Sequence, residues 1–335
     1  MAKKSIREVV NETLRSEMRR DSRVILIGED VSGGAGGTGQ DDAFGGAFGI
    51  YQGLVTEFGR ERVIDTPISE SAYIGAAAGA ACAGLRPVAD LMFVDFLGVC
   101  FDQIYNQMAK FRYLFGGKTK TPVVILAMAG AGQRVGAQHS QMLHPMLSAV
   151  PGLKVVLPSN AYDAKGLLIT AIRDDDPVIF LEHKLLFDTS CEVPDEEYSI
   201  PFGEAAYTRE GEDVTIVAIS AMVNKANAVA DKLAKEGISV EVIDPRTTSP
   251  LDEEAILESV EMTGRLVVVD EASERCSMAS DISSIVAEKA FRALRAPIRK
   301  VTAPHTPVPF SPILEDAYIP NEADIEAAVR DVMEA

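Results

Sequence analysis

Cysteine is scarce in this sequence, and the cysteines that occur are not spaced for metal binding. Four cysteines are found among 335 residues, and no two of them form a CxxC pair. This spacing argues against a zinc ribbon, an iron–sulfur site and a disulfide framework. A reducing cytosol is therefore the expected location of the chain.

Positive charge and long apolar runs are also lacking. Lysine and arginine total 32 against 50 aspartate and glutamate residues, so the formal net charge is −18. This balance argues against a nucleic-acid surface. No run approaches the roughly 18 apolar residues of a membrane span, and no apolar signal core follows the lysines near the start. We therefore expect no targeting segment, no membrane contact and no nucleic-acid partner.

The composition is that of a packed globular protein with room for two domains. Hydrophobic residues make up 47% and charged residues 24% of the chain, which is too apolar for disorder. The length suggests two domains of roughly 100–200 residues each. Residues 184–213 contain prolines, glycines and acids without sustained periodicity. We predict one domain at 1–190, a linker at 191–213 and a second domain at 214–335.

Short apolar runs alternate with helical patterns in both halves, which predicts an α/β fold with a mainly parallel sheet covered on both faces. The first half has predicted strands at 24–27, 63–64, 87–92, 123–128, 154–157 and 178–181, with helices at 72–84, 99–112 and 162–173. The second half has predicted strands at 214–219, 240–243, 266–269 and 298–302, with helices at 222–236, 252–258, 281–292 and after residue 321.

Two helix starts carry recognisable capping signals. Ser5 and Glu8 have the spacing of a capping box, followed by apolar residues at helical spacing. The segment 249–252 reads Ser-Pro-Leu-Asp, which predicts an N-cap at Ser249, a proline at the first helical position and an acid in the first turn.

A glycine-rich loop at 32–49 follows the first predicted strand and holds eight glycines. It lacks the GK[ST] ending of a phosphate-binding loop and is not followed by a helical pattern. Asp41 and Asp42 would also repel a phosphate. We interpret this segment as a surface loop.

Glu70 lies between a short predicted strand and a helix of small residues. A carboxylate at a helix amino terminus is electrostatically favoured, and a charged acceptor suits a cofactor nitrogen. The alternative is that Glu70 only caps the helix. The small residues that follow allow close approach of another helix, in an interior or at a subunit interface.

His139 follows a predicted strand and a glycine-bearing loop. That places it near the carboxyl end of a parallel sheet, where such folds build their sites. The alternative is a structural histidine. His139 and His144 have no third ligand nearby in the sequence, so a zinc site is not expected.

Six strings of the sequence, taken together, resemble the β subunit of the thiamine-diphosphate-dependent first component of 2-oxo acid dehydrogenase complexes. They occur in the same order and spacing along nearly the whole chain, at residues 28–30, 65–70, 84–87, 138–141, 151–156 and 246–252. The resemblance implies a transketolase-like pyrimidine-binding α/β domain that binds thiamine diphosphate, followed by a transketolase C-terminal-type α/β domain.

The resemblance also implies an α2β2 heterotetramer that works with a lipoyl-bearing acyltransferase. In this family the α subunit holds the diphosphate and Mg²⁺ through a GDG…N motif, and no such motif occurs here. The chain is therefore expected to hold only half of the cofactor site.

Residue roles follow from the resemblance at matching positions. Glu70 matches the glutamate that hydrogen-bonds the aminopyrimidine ring nitrogen of the cofactor, and Phe96 matches the aromatic residue that stacks on that ring. His139 matches a histidine associated with acyl transfer to the lipoyl arm, and Glu29 lies near the cofactor in such enzymes. Phe96 read alone could equally be a core residue.

A potassium site in the family draws on backbone and side-chain oxygens. The matching positions here are Val123, Ala171, Ile172, Asp174 and Asp176. Hard oxygen ligands suit such a cation. Without the resemblance, the acidic run at 174–176 is interpreted as a solvated turn.

Three substrate classes occur within the family: acetoin, pyruvate and branched-chain 2-oxo acids. The loop at 33–46 and the segments 91–96 and 182–186 are most similar to those of acetoin dehydrogenase β subunits. The expected reaction is cleavage of acetoin to acetaldehyde with oxidative acetyl transfer to a lipoyl carrier. Two further readings stay open: a non-catalytic scaffold that docks the acyltransferase core, and a self-sufficient transketolase-like enzyme, which the absent diphosphate motif disfavours.

Overall fold

The structure is a computed structural model that describes residues 1–33 and 45–335. Residues 34–44, most of the glycine-rich loop predicted to lie at the surface, are outside the described residues. Packing divides the chain into two compact units. The first unit comprises 1–129, 146–182 and 186–201, and the second comprises 130–145, 183–185 and 202–335. The predicted domain boundaries differ from this partition and stay a prediction.

The strands and helices alternate along most of the described chain. The strands are β1 (Ala2–Ser5), β2 (Val24–Glu29), β3 (Val63–Thr66), β4 (Arg86–Phe93), β5 (Val124–Ala129), β6 (Lys154–Val156), β7 (Val178–His183), β8 (Ser190–Val193), β9 (Ala206–Arg209), β10 (Val214–Ala218), β11 (Val240–Asp244), β12 (Thr247–Ser249), β13 (Leu266–Ser273) and β14 (Arg299–Ala303). The helices are α1 (Ile6–Arg20), α2 (Leu54–Phe58), α3 (Glu70–Cys82), α4 (Leu97–Asp102), α5 (Ala109–Leu114), α6 (His144–Ser148), α7 (Ala161–Arg173), α8 (Met222–Ala234), α9 (Glu253–Thr263), α10 (Met278–Lys289), α11 (Pro312–Tyr318) and α12 (Glu322–Glu334).

The first unit is built on a sheet in which six strands follow the order β6-β7-β5-β4-β2-β3. β2 runs parallel to both β3 and β4, β4 is parallel to β5, and β6 is parallel to β7. β5 and β7 are buried along their whole length. Continuous burial is typical of parallel strands covered on both faces, so the predicted α/β class is confirmed.

The first helix begins as its sequence predicts. The Ser5 side chain accepts a hydrogen bond from the Glu8 N–H, and the Glu8 carboxylate accepts one from the Ser5 N–H, which completes the capping box. The apolar face of α1, including Ile6, Leu14 and Met18, is buried. Glu17 on the same helix forms two hydrogen bonds with Arg173 of α7, at 3.0 and 2.6 Å.

The second unit has a sheet in the order β14-β13-β10-β11-β9. The three pairings among β14, β13, β10 and β11 are parallel, and β9 joins β11 antiparallel at the edge. β10 and β11 are buried throughout. The last helix, α12, begins with a capping box between Asn321 and Asp324.

One local prediction, the N-cap of α9, was wrong, and two other segments contain features that the sequence patterns did not specify. The helix expected at 99–112 is α4, a π-helical stretch at 103–108 and α5, with non-helical backbone at Cys100 (φ −116°, ψ 21°). α9 does not begin with Ser249 as its N-cap, because Asp252 takes that place and accepts the Ala255 N–H. Residues 184–213, described as without periodicity, contain β8 and β9, and β8 pairs antiparallel with β1.

Among residues 1–33 and 45–335, no helix has both the length and the apolar character needed to cross a membrane.

Candidate functional site

Glu70 is the first residue of α3 and follows the loop that leaves β3. Ser69 is the N-cap residue of this helix, and its side chain makes no capping hydrogen bond. The Glu70 side chain is buried, with 8% of the residue exposed. A helix amino terminus favours a neighbouring negative charge. The site thus has a carboxylate at the amino end of α3, as predicted.

Glu29 ends β2, next to β3 in the sheet. Its register partner on β3 is Thr66, so the residues that follow both strands emerge at the same edge of the sheet. Burial raises the pKa of Glu29, and the negative charges of Asp30 and Glu70 raise it further. The structure therefore brings Glu29 and Glu70, two of the predicted cofactor-binding residues, together in the first unit.

Phe96 lies in a 3₁₀ turn at 94–96 that follows β4. Its ring packs edge-on against Phe93, with 5.7 Å between the ring centres, and Phe93 packs edge-on against Phe48 at 5.3 Å. Phe96 is only half-buried, whereas Phe93 is buried. One aromatic residue of this row is thus partly open, which suits stacking on a planar ring.

Two buried carboxyl groups in the first unit were not predicted as site residues. Burial raises the pKa of Asp90 in β4 to about 6, although the Met92 N–H bonds to it at 2.9 Å. Burial also raises the pKa of Glu182 in β7 to about 8, and the charge of Asp90 adds to this. The available sequence signal was a single acid inside an apolar strand run, since burial of a carboxylate costs free energy unless the group is paired or hydrogen-bonded.

His139 lies in the loop between β5 and α6, within the second unit. It is half-buried. Its N–H donates to the Gly136 carbonyl at 3.2 Å, and the buried Lys184 ammonium donates to the His139 carbonyl. His139 therefore follows a strand of the sheet, as predicted, but packs with a different unit from Glu29, Glu70 and Phe96.

The predicted potassium ligands have partners within the protein. The Val123 carbonyl accepts the Val178 N–H at 2.9 Å, and the Ile172 carbonyl accepts Arg86 Nε at 2.8 Å. The Asp176 carboxylate pairs with Arg112 at 2.6 Å. In the described part of the chain no group of three or more acids, histidines or cysteines could hold a metal ion. The potassium site stays a prediction.

A cavity of about 370 Å³ lies in the second unit, beside the segment that carries His139. It is lined by neutral polar groups, including Gln141, Ser273, Thr306 and Tyr318, together with His305 and several apolar side chains. Burial raises the pKa of Tyr318 to about 12. Since Ser273 ends β13, the cavity opens at the carboxyl end of a parallel sheet, where ligands commonly bind.

The chemistry available in each unit is distinct. The first unit offers the carboxylates Glu29 and Glu70 together with the half-buried ring of Phe96, which fit a cofactor with a planar ring and basic nitrogens. The second unit offers the half-buried imidazole of His139, whose ring nitrogens can donate or accept hydrogen bonds.

Comparison with known proteins covers the whole chain. The family model "Transketolase, pyrimidine binding domain" matches residues 2–189, and "Transketolase, C-terminal domain" matches residues 203–325. A solved structure described as a split gene transketolase, an inactive beta4 tetramer, is similar with a TM-score of 0.78 and 25% identity, covering 98% of both chains.

Curated relatives share still more of the sequence. The chain is 61% identical to the β subunit of the acetoin:2,6-dichlorophenolindophenol oxidoreductase of Cupriavidus necator, over 99% of this chain and 98% of that protein. It is 53% identical to the Bacillus subtilis protein of the same description, over 98% and 97%. It is 45% identical to a pyruvate dehydrogenase E1 component β subunit of Rickettsia felis, over 98% of each.

Proposed function

We propose a function on the premise that this chain belongs to the transketolase-like β subunits of thiamine-diphosphate-dependent acetoin and 2-oxo acid dehydrogenases. It is the β subunit of an acetoin dehydrogenase, and it acts with an α subunit. The observation that carries the proposal is the higher identity, over the whole chain, to acetoin oxidoreductase β subunits than to pyruvate dehydrogenase β subunits. The reaction cleaves acetoin to acetaldehyde and transfers the remaining group, oxidised to acetyl, to a lipoyl carrier.

The charge of the first unit's candidate site supports a neutral substrate. Glu29, Glu70 and Asp95 place three acidic side chains in the segments that carry the predicted cofactor-binding residues. Pyruvate and branched-chain 2-oxo acids carry a carboxylate that such groups would repel unless the partner subunit supplied a cation. Acetoin carries no charge and requires only hydrogen-bonding partners.

The residues of the first unit fit the pyrimidine half of thiamine diphosphate. When bound, this cofactor would supply a nucleophilic carbon for reaction with the ketone of the substrate. Glu70 holds a proton at the ring nitrogen of the aminopyrimidine, since a carboxylate can accept a hydrogen bond from that nitrogen. Phe96 orients the ring by stacking, and Glu29 adds a second acidic side chain beside Glu70.

His139 serves the later part of the reaction. Its imidazole can exchange a proton with the oxygen of the substrate and orient the acyl group for transfer to the lipoyl arm. The half-buried position of the residue is compatible with access from solvent. The lipoyl carrier belongs to an acyltransferase partner.

An α subunit completes the site in an α2β2 heterotetramer. The sequence contains no GDG…N motif, and the described residues contain no cluster of acids, histidines or cysteines that could chelate Mg²⁺. The α subunit therefore holds the Mg²⁺ and the diphosphate, whereas this chain binds the pyrimidine half.

The test compares kcat/KM for acetoin, pyruvate and 3-methyl-2-oxobutanoate, using the α–β complex and 2,6-dichlorophenolindophenol as electron acceptor. The artificial acceptor separates the chemistry of the α–β complex from the rest of the assembly. We expect acetoin to be used most efficiently. If pyruvate is used more efficiently than acetoin, the substrate assignment is wrong, although the family assignment stands.

A further inference from the structure

The segment that leads to His139 has a backbone that needs support. Gly130, Gly132, Arg134 and Gly136 all have positive φ angles, at 87°, 107°, 61° and 81°. Glycine adopts such angles freely, but a residue with a side chain does so at a cost of roughly 1–2 kcal/mol. Arg134 persists in this conformation only if its surroundings compensate for the strain.

Glu315 of α11 provides that support from a fully buried position. The residue is 0% exposed. Its carboxylate accepts the Gly132 N–H at 2.8 Å and the Arg134 N–H at 3.1 Å, and it also pairs with the Arg134 guanidinium. A buried carboxylate that accepts several charge-assisted hydrogen bonds holds its donors strongly. Glu315 thus binds the backbone of 132–134 as well as one side chain.

A second buried carboxylate holds the start of the same segment. Glu271 accepts the Ala131 N–H at 2.7 Å and contacts His183 Nε2 at 2.8 Å. His183 Nδ1 accepts the Leu185 N–H at 3.2 Å, so Nε2 carries the proton that is donated to Glu271. Burial acts to raise the pKa of Glu271, but its interactions with His183 and with the Ala131 N–H outweigh this effect, and the net shift is downward.

We propose that Glu315 is a positioning residue for His139, which it holds in place through the backbone of residues 132–134. The segment continues from Arg134 through Gly136, whose carbonyl accepts the His139 N–H. Fixing 132–134 therefore fixes the turn from which His139 projects. The inference rests on the proposed role of His139 and assigns a function to a fully buried residue.

The first experiment uses the α–β complex carrying Glu315→Gln. The amide keeps the size of the side chain. It has only one acceptor oxygen, whereas the Gly132 and Arg134 N–H groups now bond to two different carboxylate oxygens, and it loses the ion pair with Arg134. Small displacements of a reacting group can cost about 10²-fold in rate. We expect kcat for acetoin to fall about 10–100-fold with KM nearly unchanged.

The matched control is Asp316→Asn. Asp316 is the next residue on α11, and its side chain, which is 64% exposed, pairs with the same Arg134 guanidinium at 2.5 Å. We expect this variant to retain the activity of the unmodified complex. Equal losses in the two variants would mean that the Arg134 ion pair matters and that the backbone contacts of Glu315 do not, which overturns the proposal.

A second readout separates positioning from general damage. In the proposed function, exchange of the thiazolium C2 proton of bound thiamine diphosphate involves Glu70 of the first unit and does not involve His139. It is expected to proceed at the normal rate in the Glu315→Gln complex. A parallel loss of exchange and turnover would mean that the substitution damages the whole site, and the proposal would then be wrong.

A double-mutant cycle with His139→Ala decides whether Glu315 acts through His139. We expect Glu315→Gln to cause no further loss of kcat once His139 is absent. If the two losses multiply, the positioning role is wrong and the proposed function stands. If His139→Ala leaves turnover intact, the catalytic role of His139 and the positioning role are both overturned.

If Glu315→Gln prevents assembly of the α–β complex, Glu315→Asp is tested in its place. It keeps the charge but draws the carboxylate back by one methylene, so we expect a smaller loss of kcat with normal C2 exchange. Full activity in Glu315→Asp together with a Glu315→Gln complex that fails to assemble would assign Glu315 to folding alone and overturn the proposal.

Discussion

Glu182 lies in β7 and is buried, with 1% of the residue exposed. Burial raises its pKa from 4.5 to about 8, so the unfolded chain releases this proton at a lower pH than the folded protein does. The contribution of Glu182 to stability therefore falls as pH rises from about 4.5 to about 8 and is constant above that range. Each pKa unit corresponds to about 1.4 kcal/mol.

Glu182→Gln removes this dependence, because the amide does not titrate. We expect the free energy of unfolding to decrease less between pH 5 and pH 9 in the variant than in the unmodified protein. Urea unfolding at a series of pH values measures the difference. Parallel curves for the two proteins would mean that Glu182 titrates at an ordinary pH in the folded state.

Glu70→Gln tests the carboxylate at the amino end of α3. The amide cannot carry the negative charge that favours a proton on the ring nitrogen of the cofactor. Loss of a proton-transfer group commonly costs about 10²–10⁴-fold, and we expect C2 proton exchange, followed by NMR in the α–β complex, to slow by a similar factor. Unchanged exchange would remove Glu70 from the mechanism and favour a scaffold role for the chain.

Local sequence patterns predict where Glu70 and His139 lie in the fold, but they do not predict the contacts of Glu315. Glu70 and His139 each follow a strand in a parallel sheet, so their neighbourhood is predictable from the order of elements. Glu315 is different, because its partners Gly132 and Arg134 lie more than 180 positions earlier in the chain. Only the packing of α11 against that segment shows what Glu315 holds.

At the scale of elements, two glycines differ in what surrounds them. Gly84 and Gly152 have nearly the same backbone angle, with φ of +100° and +99°. A Cβ atom at Gly84 would meet nothing within 4 Å, whereas one at Gly152 would lie 2.0 Å from the Ala109 carbonyl oxygen of α5. Gly152 therefore allows α5 to pack closely against the loop before β6.

We expect Gly152→Ala to destabilise the protein more than Gly84→Ala. Both variants force a side chain into a left-handed conformation, at about 1–3 kcal/mol. Gly152→Ala adds a backbone overlap that requires α5 or the loop to move, typically at a further cost of about 1–3 kcal/mol. The free energies of unfolding in urea give the comparison. Equal losses in the two variants would contradict the close approach of α5.

The sequence predicts an element well when the interactions that start it lie within a few residues, and poorly when the element depends on a strand that is distant in the sequence. The capping box of Ser5 and Glu8 lies within four residues, and α1 begins where it predicts. By contrast, β1 exists because Ala2–Ser5 pairs with Ser190–Val193. No pattern within four residues can reveal such a partner. The π-helical stretch at 103–108 is another feature that apolar spacing alone does not specify.

At the scale of the whole molecule, the alternation of strands and helices predicts the fold class, but it does not predict how one segment packs. Residues 130–145 come between strands of the first sheet in the sequence, and they lie within both the predicted domain 1–190 and the family match at 2–189. In the structure they group with the second unit. Hydrogen bonds hold the segment to this unit, since Glu271 and Glu315 accept backbone N–H groups from residues 131–134. Hydrophobic periodicity carries no signal for such contacts.

The whole chain, taken without its partner, should be an incomplete enzyme. Glu29, Glu70 and Phe96 fit the pyrimidine half of the cofactor, and half of the ligand contacts give only part of the binding free energy. The diphosphate and its Mg²⁺ require oxygen ligands arranged around the cation, and the described residues offer no suitable cluster. The formal net charge of −18 adds general repulsion toward an anionic cofactor.

We therefore expect the isolated chain to bind thiamine diphosphate weakly, with an affinity that Mg²⁺ does not increase, and to show no turnover of acetoin. Calorimetric titration of the chain alone, with and without Mg²⁺, measures the first part, and the dichlorophenolindophenol assay measures the second. Addition of the α subunit should restore both Mg²⁺-dependent binding and activity, because it supplies the missing diphosphate ligands. Tight Mg²⁺-dependent binding by the chain alone would contradict the half-site.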